Sequence, residues 1–239
     1  MDSPSKGWGS LYKTGAALFL ASGVSTLIFG VFENFYEFAG FCPTTCIFQD
    51  GVKYVGDNAN LFYAADIFLM LAVLLAVPAV VALFVALKET NAGLSALGAS
   101  FAILGCGMIV AYLPELFYLV QEAQIYVTGT GATTVFNLNP LNATAGLGVT
   151  YTANDLGFLL ILLGVLVLGV VMFMSAAFGR TLGTLGILAA LVGLVGTSIY
   201  PTGGGTDAQI VSMLTYVLIM LWNVLTAWKL VRSGTLPHT

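Results

Sequence analysis

Two carboxylates interrupt long apolar runs in this chain. Asp66 stands in "NLFYAADIFLML" and Glu115 in "AYLPELFYL". A carboxylate surrounded by apolar residues can take up a proton, ligate a cation, line a hydrated cavity, or stay neutral and hydrogen-bonded to a hydroxyl. Tyr63 and Tyr112 lie close enough in sequence to supply such hydroxyls, or to anchor at a membrane interface. Pro114, just before Glu115, removes one helical hydrogen bond and frees a carbonyl about one turn back. A freed carbonyl beside a carboxylate can serve a cation, and equally it can mark an ordinary kink. Asp66, Glu115, Tyr112 and Tyr63 are therefore the candidate ligand-binding residues.

Other chemistries lack their residues. The only histidine is His238, so neither a bis-histidine haem nor a histidine-based zinc or di-iron site can be assembled from one chain. No Ser-His-Asp or Cys-His pair is available, and no catalytic or metal site is expected. Of the three cysteines, Cys106 lies in an apolar run, where a thiol behaves as a small hydrophobe. Cys42 and Cys46 flank "PTT" in a polar stretch. Three readings of that pair stand side by side: a disulfide staple, a redox-active pair, and two reduced thiols. The staple is the one adopted as the expectation.

These residues must be positioned by something, and composition says what. Of 239 residues, 59% are hydrophobic and 8% charged, against about a quarter charged in a soluble domain. Such a chain cannot cover a globular surface with polar groups, which points to an integral membrane protein in contact with the lipid bilayer. The net charge of -4 gives no nucleic-acid signal, and with no Lys/Arg cluster a polybasic lipid-binding patch is not expected either. A span needs about 20 mainly apolar residues, and six such runs occur, at roughly 12–33, 61–87, 93–119, 156–178, 181–200 and 208–231. Lys6, Lys13, Lys88, Arg180, Lys229 and Arg232 then fall on one face and only Lys53 on the other. The positive-inside rule makes the basic face cytoplasmic, with both termini there. The plasma membrane is the expected location.

The inner turns "KETNA" and "GRT" are short, so spans two and three are antiparallel neighbours, as are spans four and five. Asp66 and Glu115 thus come to similar depth on adjacent helices, roughly 6–8 Å below the outer rim. The outer loops 34–60 and 120–155 are long. "IYVTGTGATTVFNL" alternates β-formers around glycine, the pattern of a β-hairpin, which would form a small cap within 120–155. Gly15, Ser22, Gly23 and Gly30, and again Gly179, Gly183, Gly186, Gly193 and Gly196, give small faces for close helix packing.

The segments "YKTGAALFLASGV", "ALFVALKETNAGLSALGASF", "SAAFGRTLGTLGILAALVGLVG" and "MLWNVLTAWKLVRSG" resemble the basic turns and span starts of an uncharacterised family of six-helix integral membrane proteins, a domain of unknown function. Asn223 stands where that pattern has an acidic residue, and the Gly/Thr-rich loop three and the Cys42/Cys46 pair also depart from it. The resemblance implies an all-α fold and no mechanism.

The expectation is therefore an all-α polytopic bundle forming a single membrane domain over 1–239. Its first functional reading is a non-catalytic subunit or scaffold of a larger membrane complex, partnered by other membrane subunits or by its own copies. The alternative is a small transporter or ligand-binding protein with Asp66 and Glu115 in an outward cavity. An enzyme ranks last, and the sequence names no cofactor.

Overall fold

The computed structural model describes residues 5–33, 48–129, 140–199 and 206–233, all of them in helices or the short turns between helices. The helices are α1 (Ser5–Phe32), α2 (Phe48–Asp57), α3 (Ala59–Thr128), α4 (Pro140–Met174), α5 (Arg180–Ile199) and α6 (Thr206–Ser233). Four stretches, within α1, α3, α4 and α6, are long and apolar enough to cross a membrane. With exposed Leu74, Leu104, Leu188 and Leu225 among the large side chains facing outward, they mark the chain as a membrane protein.

Helix α3 is 70 residues long but not one rod. Asn91 leaves helical geometry (φ -158°, ψ 98°), and its side-chain Oδ1 accepts the Leu94 N–H at 3.0 Å. That is an N-cap, so a new helix starts there. Ser95 Oγ donates back to the Asn91 carbonyl at 2.7 Å. The two limbs fold against each other. Leu69 and Val73 of the first share a buried cluster with Cys106, Ile109 and Leu113 of the second, and Tyr63 stacks on Phe117 with ring centroids 6.1 Å apart. In a straight helix those two rings would lie roughly 80 Å apart. The expected inner turn "KETNA" is thus a break at one residue, with Lys88, Glu89 and Thr90 still helical.

The rods close into a ring. α1 packs on the first limb of α3, the second limb on α4, α4 on α5, α5 on α6, and α6 back on α1. Small residues at seven-residue spacing set these seams. On α1, Gly15 packs against Ala82, and Ser22 Oγ donates to the Ala72 carbonyl at 2.9 Å. One position further round, Gly23 and Gly30 face Asn223 and Tyr216 of α6. Between α3 and α4, Gly98 and Gly105 meet Gly164 and Gly157. A Cβ on Gly164 would lie 2.7 Å from the Ala102 nitrogen and 2.8 Å from the Gly98 carbonyl oxygen. Only glycine permits such a backbone approach.

The interior has two halves. At the end bearing Lys13, Lys88, Arg180, Lys229 and Arg232, one cluster draws on the ring's helices, including Phe19, Leu83, Leu87, Leu168, Met172 and Trp222. Phe19 meets Trp222 edge-on with ring centroids 6.0 Å apart. At the opposite end, a second cluster draws on α1, both limbs of α3, and Tyr216 of α6.

Several sequence expectations are corrected here. The residues 120–128 and 140–155, expected in the β-capped loop, are helical, so the first arm of the hairpin is not a strand. The glycine-rich centre of that loop, within 130–139, lies outside the described residues, as do Cys42 and Cys46. The α4–α5 turn is "SAAFG", 175–179, rather than "GRT". Its Phe178 is buried like a core residue, which is why that stretch reads as part of a span. The cap that the structure does describe is helical. The short α2 lays Tyr54 edge-on against Phe62, centroids 6.1 Å apart, and Gly56 against the Ala123 carbonyl.

Candidate functional site

In the first limb of α3 the buried positions are Ala59, Phe62, Ala65, Asp66, Leu69, Ala72, Val73, Ala79, Val80, Ala82, Leu83 and Leu87. Steps of three and four place them on one stripe facing the ring interior. Asp66 belongs to that stripe, with Phe62, Leu69, Met70 and Val73 a turn or two away. It is 6% exposed, and its Oδ2 has no hydrogen-bond partner among the described residues. A buried carboxyl oxygen without a partner is costly.

A second acid sits at the same end. Tyr216 Oη donates a hydrogen bond to Glu33 Oε2, joining α6 to the end of α1. Glycine at position 30 lets the Tyr216 ring lie flush on α1, and Phe29 meets that ring edge-on with centroids 5.9 Å apart. Phe29, Ala65, Leu69, Leu113 and Tyr216 belong to one buried cluster, and Phe32 stacks on Phe68 at 6.2 Å. Asp66 follows Ala65 and Glu33 follows Phe32, so the two acids occupy the same level of the bundle. Ser25 and Tyr112 are also buried at this end. Thr215, 9% exposed, donates to the Val211 carbonyl at 2.8 Å.

Glu115 does not join them. The second limb buries Ile109, Tyr112, Leu113 and Val120. Glu115 lies roughly 200° around the helix from Leu113, and it is exposed together with Pro114 and Tyr118. Of the four residues chosen from sequence, Asp66 and Tyr112 face inward. Tyr63 is half-buried against Phe117, and Glu115 points outward. Depth explains why an outward carboxylate is tolerated. From Leu94 to Glu115 is roughly 30 Å of helix, the thickness of a hydrocarbon core. Glu115 therefore lies about one hydrocarbon thickness along the limb from its Asn91 start. From Leu87 to Asp66 is a similar rise, but Asp66 remains enclosed by protein.

Glu33 and Tyr216 were missed from sequence. Glu33 is the last residue of the first expected span, 12–33, where a polar residue at the end of an apolar run draws no notice. Its partner is 183 positions away, and no local pattern joins them. Gly30 was noted as a small packing residue, without the ring it accommodates. Among the described residues, no group of three His, Cys, Asp or Glu side chains is placed to hold a metal ion. Cys106 is a buried free thiol in the outer cluster.

The arrangement offers two acids from different helices at one level, one held by a phenol and one with an open oxygen. Such an arrangement can chemically accept a proton or a small cationic group.

A family model described as Domain of unknown function (DUF4386) matches residues 47–234. No curated protein and no solved structure matches the chain. The chain belongs to the DUF4386 family.

Proposed function

We propose that this DUF4386 protein is a six-span integral membrane protein that binds a proton or a small cation at Asp66, reached from the outer face, as a transporter or ligand-binding protein without catalytic activity. The two limbs of α3 count as two spans, since each exceeds the roughly 20 residues needed. α5, with 20 residues, is just long enough. The topology follows from charge. Lys13, Lys88, Arg180, Lys229 and Arg232 gather at one end, while Asp57, Glu115, Glu122 and Asp155 belong to the other. By the positive-inside rule the basic end is cytoplasmic, with both termini there, in the plasma membrane.

The observation that carries the reading is the unpartnered Asp66 oxygen on the interior stripe. A bundle serving packing alone gains nothing from a carboxyl there, and an intramembrane acid facing a bundle interior is by default a functional group. Methylammonium, a small cation matched to one carboxylate, is the probe. Proteoliposomes of the wild type should bind or accumulate it. Asp66→Asn should abolish this, while Glu115→Gln should leave it unchanged. Binding untouched by Asp66→Asn would end the proposal.

A second reading, a non-catalytic subunit of a larger membrane complex, is favoured by one observation. Glu115 and the 54% exposed Tyr118 form a polar ridge on the outward face of α3. A neighbouring membrane subunit or a second copy would cover that ridge. Purification in mild detergent with a stoichiometric partner, lost on Glu115→Leu, would support it.

A further inference from the structure

The opposite end of the bundle carries a site that sequence spacing hides. Arg180 and Lys229 are far apart in sequence, but the fold brings both to the α4–α5 turn, and Arg232 lies one turn beyond Lys229 on α6. Lys229 Nζ, on α6, donates to the Ala177 carbonyl of that turn at 3.3 Å. Arg180 opens α5 three residues further on, with its guanidinium 5.8 Å from the Phe173 ring centroid. Arg232 lies 3.8 Å from the Trp228 ring centroid, and Lys229 lies 5.9 Å from it. Between the end of α4 and the start of α5 is an open depression of about 540 Å³, lined by Phe173, Met174, Ser175, Ala176, Gly179 and Arg180. Apolar side chains in and near it are exposed. Phe173 is 43% and Met174 56% exposed, and Trp228 on α6 is 48% exposed.

We propose that this depression seats one anionic phospholipid, its phosphate between Arg180 and Lys229 and its acyl chains along Phe173 and Met174. Two features select this occupant. The charge is complementary to an anion, with arginine supplying the planar fork that suits phosphate. The cations sit directly above exposed apolar and aromatic side chains at the end of the spans, so a ligand filling both parts must carry a charged head on a greasy body. A soluble anion would use only the first part, and a neutral lipid only the second. Arginine and tryptophan at this level also match the interfacial belt, where long cationic side chains reach up to headgroups. The inference does not depend on Asp66, which lies at the far end of the ring.

The test uses the full-length protein in mixed micelles with equimolar phosphatidylglycerol and phosphatidylcholine, read by native mass spectrometry. The expected result is one phosphatidylglycerol retained per chain in preference to phosphatidylcholine. Each cation near an anionic lipid surface contributes about a five-fold effect, so Arg180→Gln with Lys229→Gln should weaken retention on the order of thirty-fold. Lys53→Gln, at the other end, should not weaken it. Equal retention of the two lipids by the wild type overturns the proposal without any variant, which covers the case of a double variant that fails to fold. Retention unchanged in a folded double variant also overturns it. Displacement of phosphatidylglycerol by millimolar inorganic phosphate would assign the seat to a free anion and overturn the lipid assignment.

Discussion

Replacing Asp66 by leucine should make this protein more stable and functionally dead. The side chain lies on an interior stripe with Phe62, Leu69 and Val73, and one carboxyl oxygen has no partner among the described residues. Removing a buried polar group left unsatisfied returns about 1–3 kcal/mol. Leucine also adds apolar contact along the stripe, partly offset by about 1 kcal/mol of crowding from its extra volume. The net expectation is a gain of about 1–3 kcal/mol. At about 2–4 °C per kcal/mol for a chain of this size, the unfolding midpoint should rise by roughly 2–12 °C. The assay is thermal unfolding in detergent followed by tryptophan fluorescence, for which buried Trp222 is well placed. The same samples, with methylammonium added, supply a second readout. A ligand that binds only the folded state at a hundred times its Kd adds about 2.7 kcal/mol, so the wild-type midpoint should climb with ligand while that of Asp66→Leu stays flat. A lower midpoint for Asp66→Leu would refute the reasoning, because it would mean that the carboxyl supports the fold through a bond that leucine cannot make.

Tyr216→Phe keeps the ring that packs on Phe29 and Gly30 but loses the hydroxyl given to Glu33. It should cost about 1–3 kcal/mol, read as a lower unfolding midpoint that Tyr216→Trp does not restore. Gly164→Leu puts a side chain where the Ala102 nitrogen and the Gly98 carbonyl already stand. It should separate α3 from α4 at a cost of at least 1–3 kcal/mol, visible as loss of the monodisperse peak in size-exclusion chromatography. Asn91→Ala removes the cap on the second limb of α3 and should cost about 1 kcal/mol, whereas Asn91→Asp should be close to neutral in the same unfolding assay. Glu115→Gln, on an exposed position, should shift the midpoint by less than about 0.5 kcal/mol.

Length and hydropathy alone made the helices legible. The expected runs 12–33, 181–200 and 208–231 fall inside or within a residue of α1, α5 and α6, because a long apolar stretch has little choice but helix in a bilayer. The pair 61–87 and 93–119 became one element broken at Asn91, since a single capping residue reverses the chain as well as a loop does. The outer loops were less legible. Thr- and Gly-rich segments have weak intrinsic preference, and β-pattern reasoning on 125–138 favoured a strand where the structure has helix at 125–128. Among site residues, Asp66 could be read because a carboxylate in an apolar run is conspicuous by itself. Glu115 was conspicuous in the same way, yet faces outward. Depth can be counted along a helix, but facing requires the angular position relative to Leu113 and Tyr112, and an apolar run hides that because every face is apolar. Glu33–Tyr216 joins the two ends of the chain and Lys229–Ala177 joins α6 to the α4–α5 turn, contacts that only the closed ring creates.

On the proposed function, the direction of access to Asp66 follows from how unevenly the ring is packed. Toward the basic end, the interior is filled by Phe19, Leu83, Leu87, Leu168, Met172 and Trp222, drawn from α1, α3, α4 and α6, with Leu182 and Ala190 of α5 alongside. Nothing polar could pass that plug without displacing several fully buried side chains, and close-packed interiors do not yield in this way at low cost. Toward the acidic end, the cluster rests on α1, the two limbs of α3 and Tyr216, with Phe158 and Ile161 of α4 against it. Polar groups are interleaved there: Ser25, Asp66, Tyr112, Thr215, and Glu33 beneath its phenol. On the proposed function, a proton or small cation approaching Asp66 from the acidic end would meet hydroxyls and the Glu33 carboxyl, whereas the basic half, which buries Ser95, Asn223 and Thr226 as well, is closed by large apolar side chains. For a transporter, the step that limits turnover would then be the opening of that inner wall, and bulk added there should be felt as lost exchange with binding retained. Ala190→Phe, in the plug and far from Asp66, should leave methylammonium binding intact while slowing its release into the liposome lumen at least ten-fold. Equal loss of binding and release would instead place Asp66 in contact with the inner half and contradict the two-part interior.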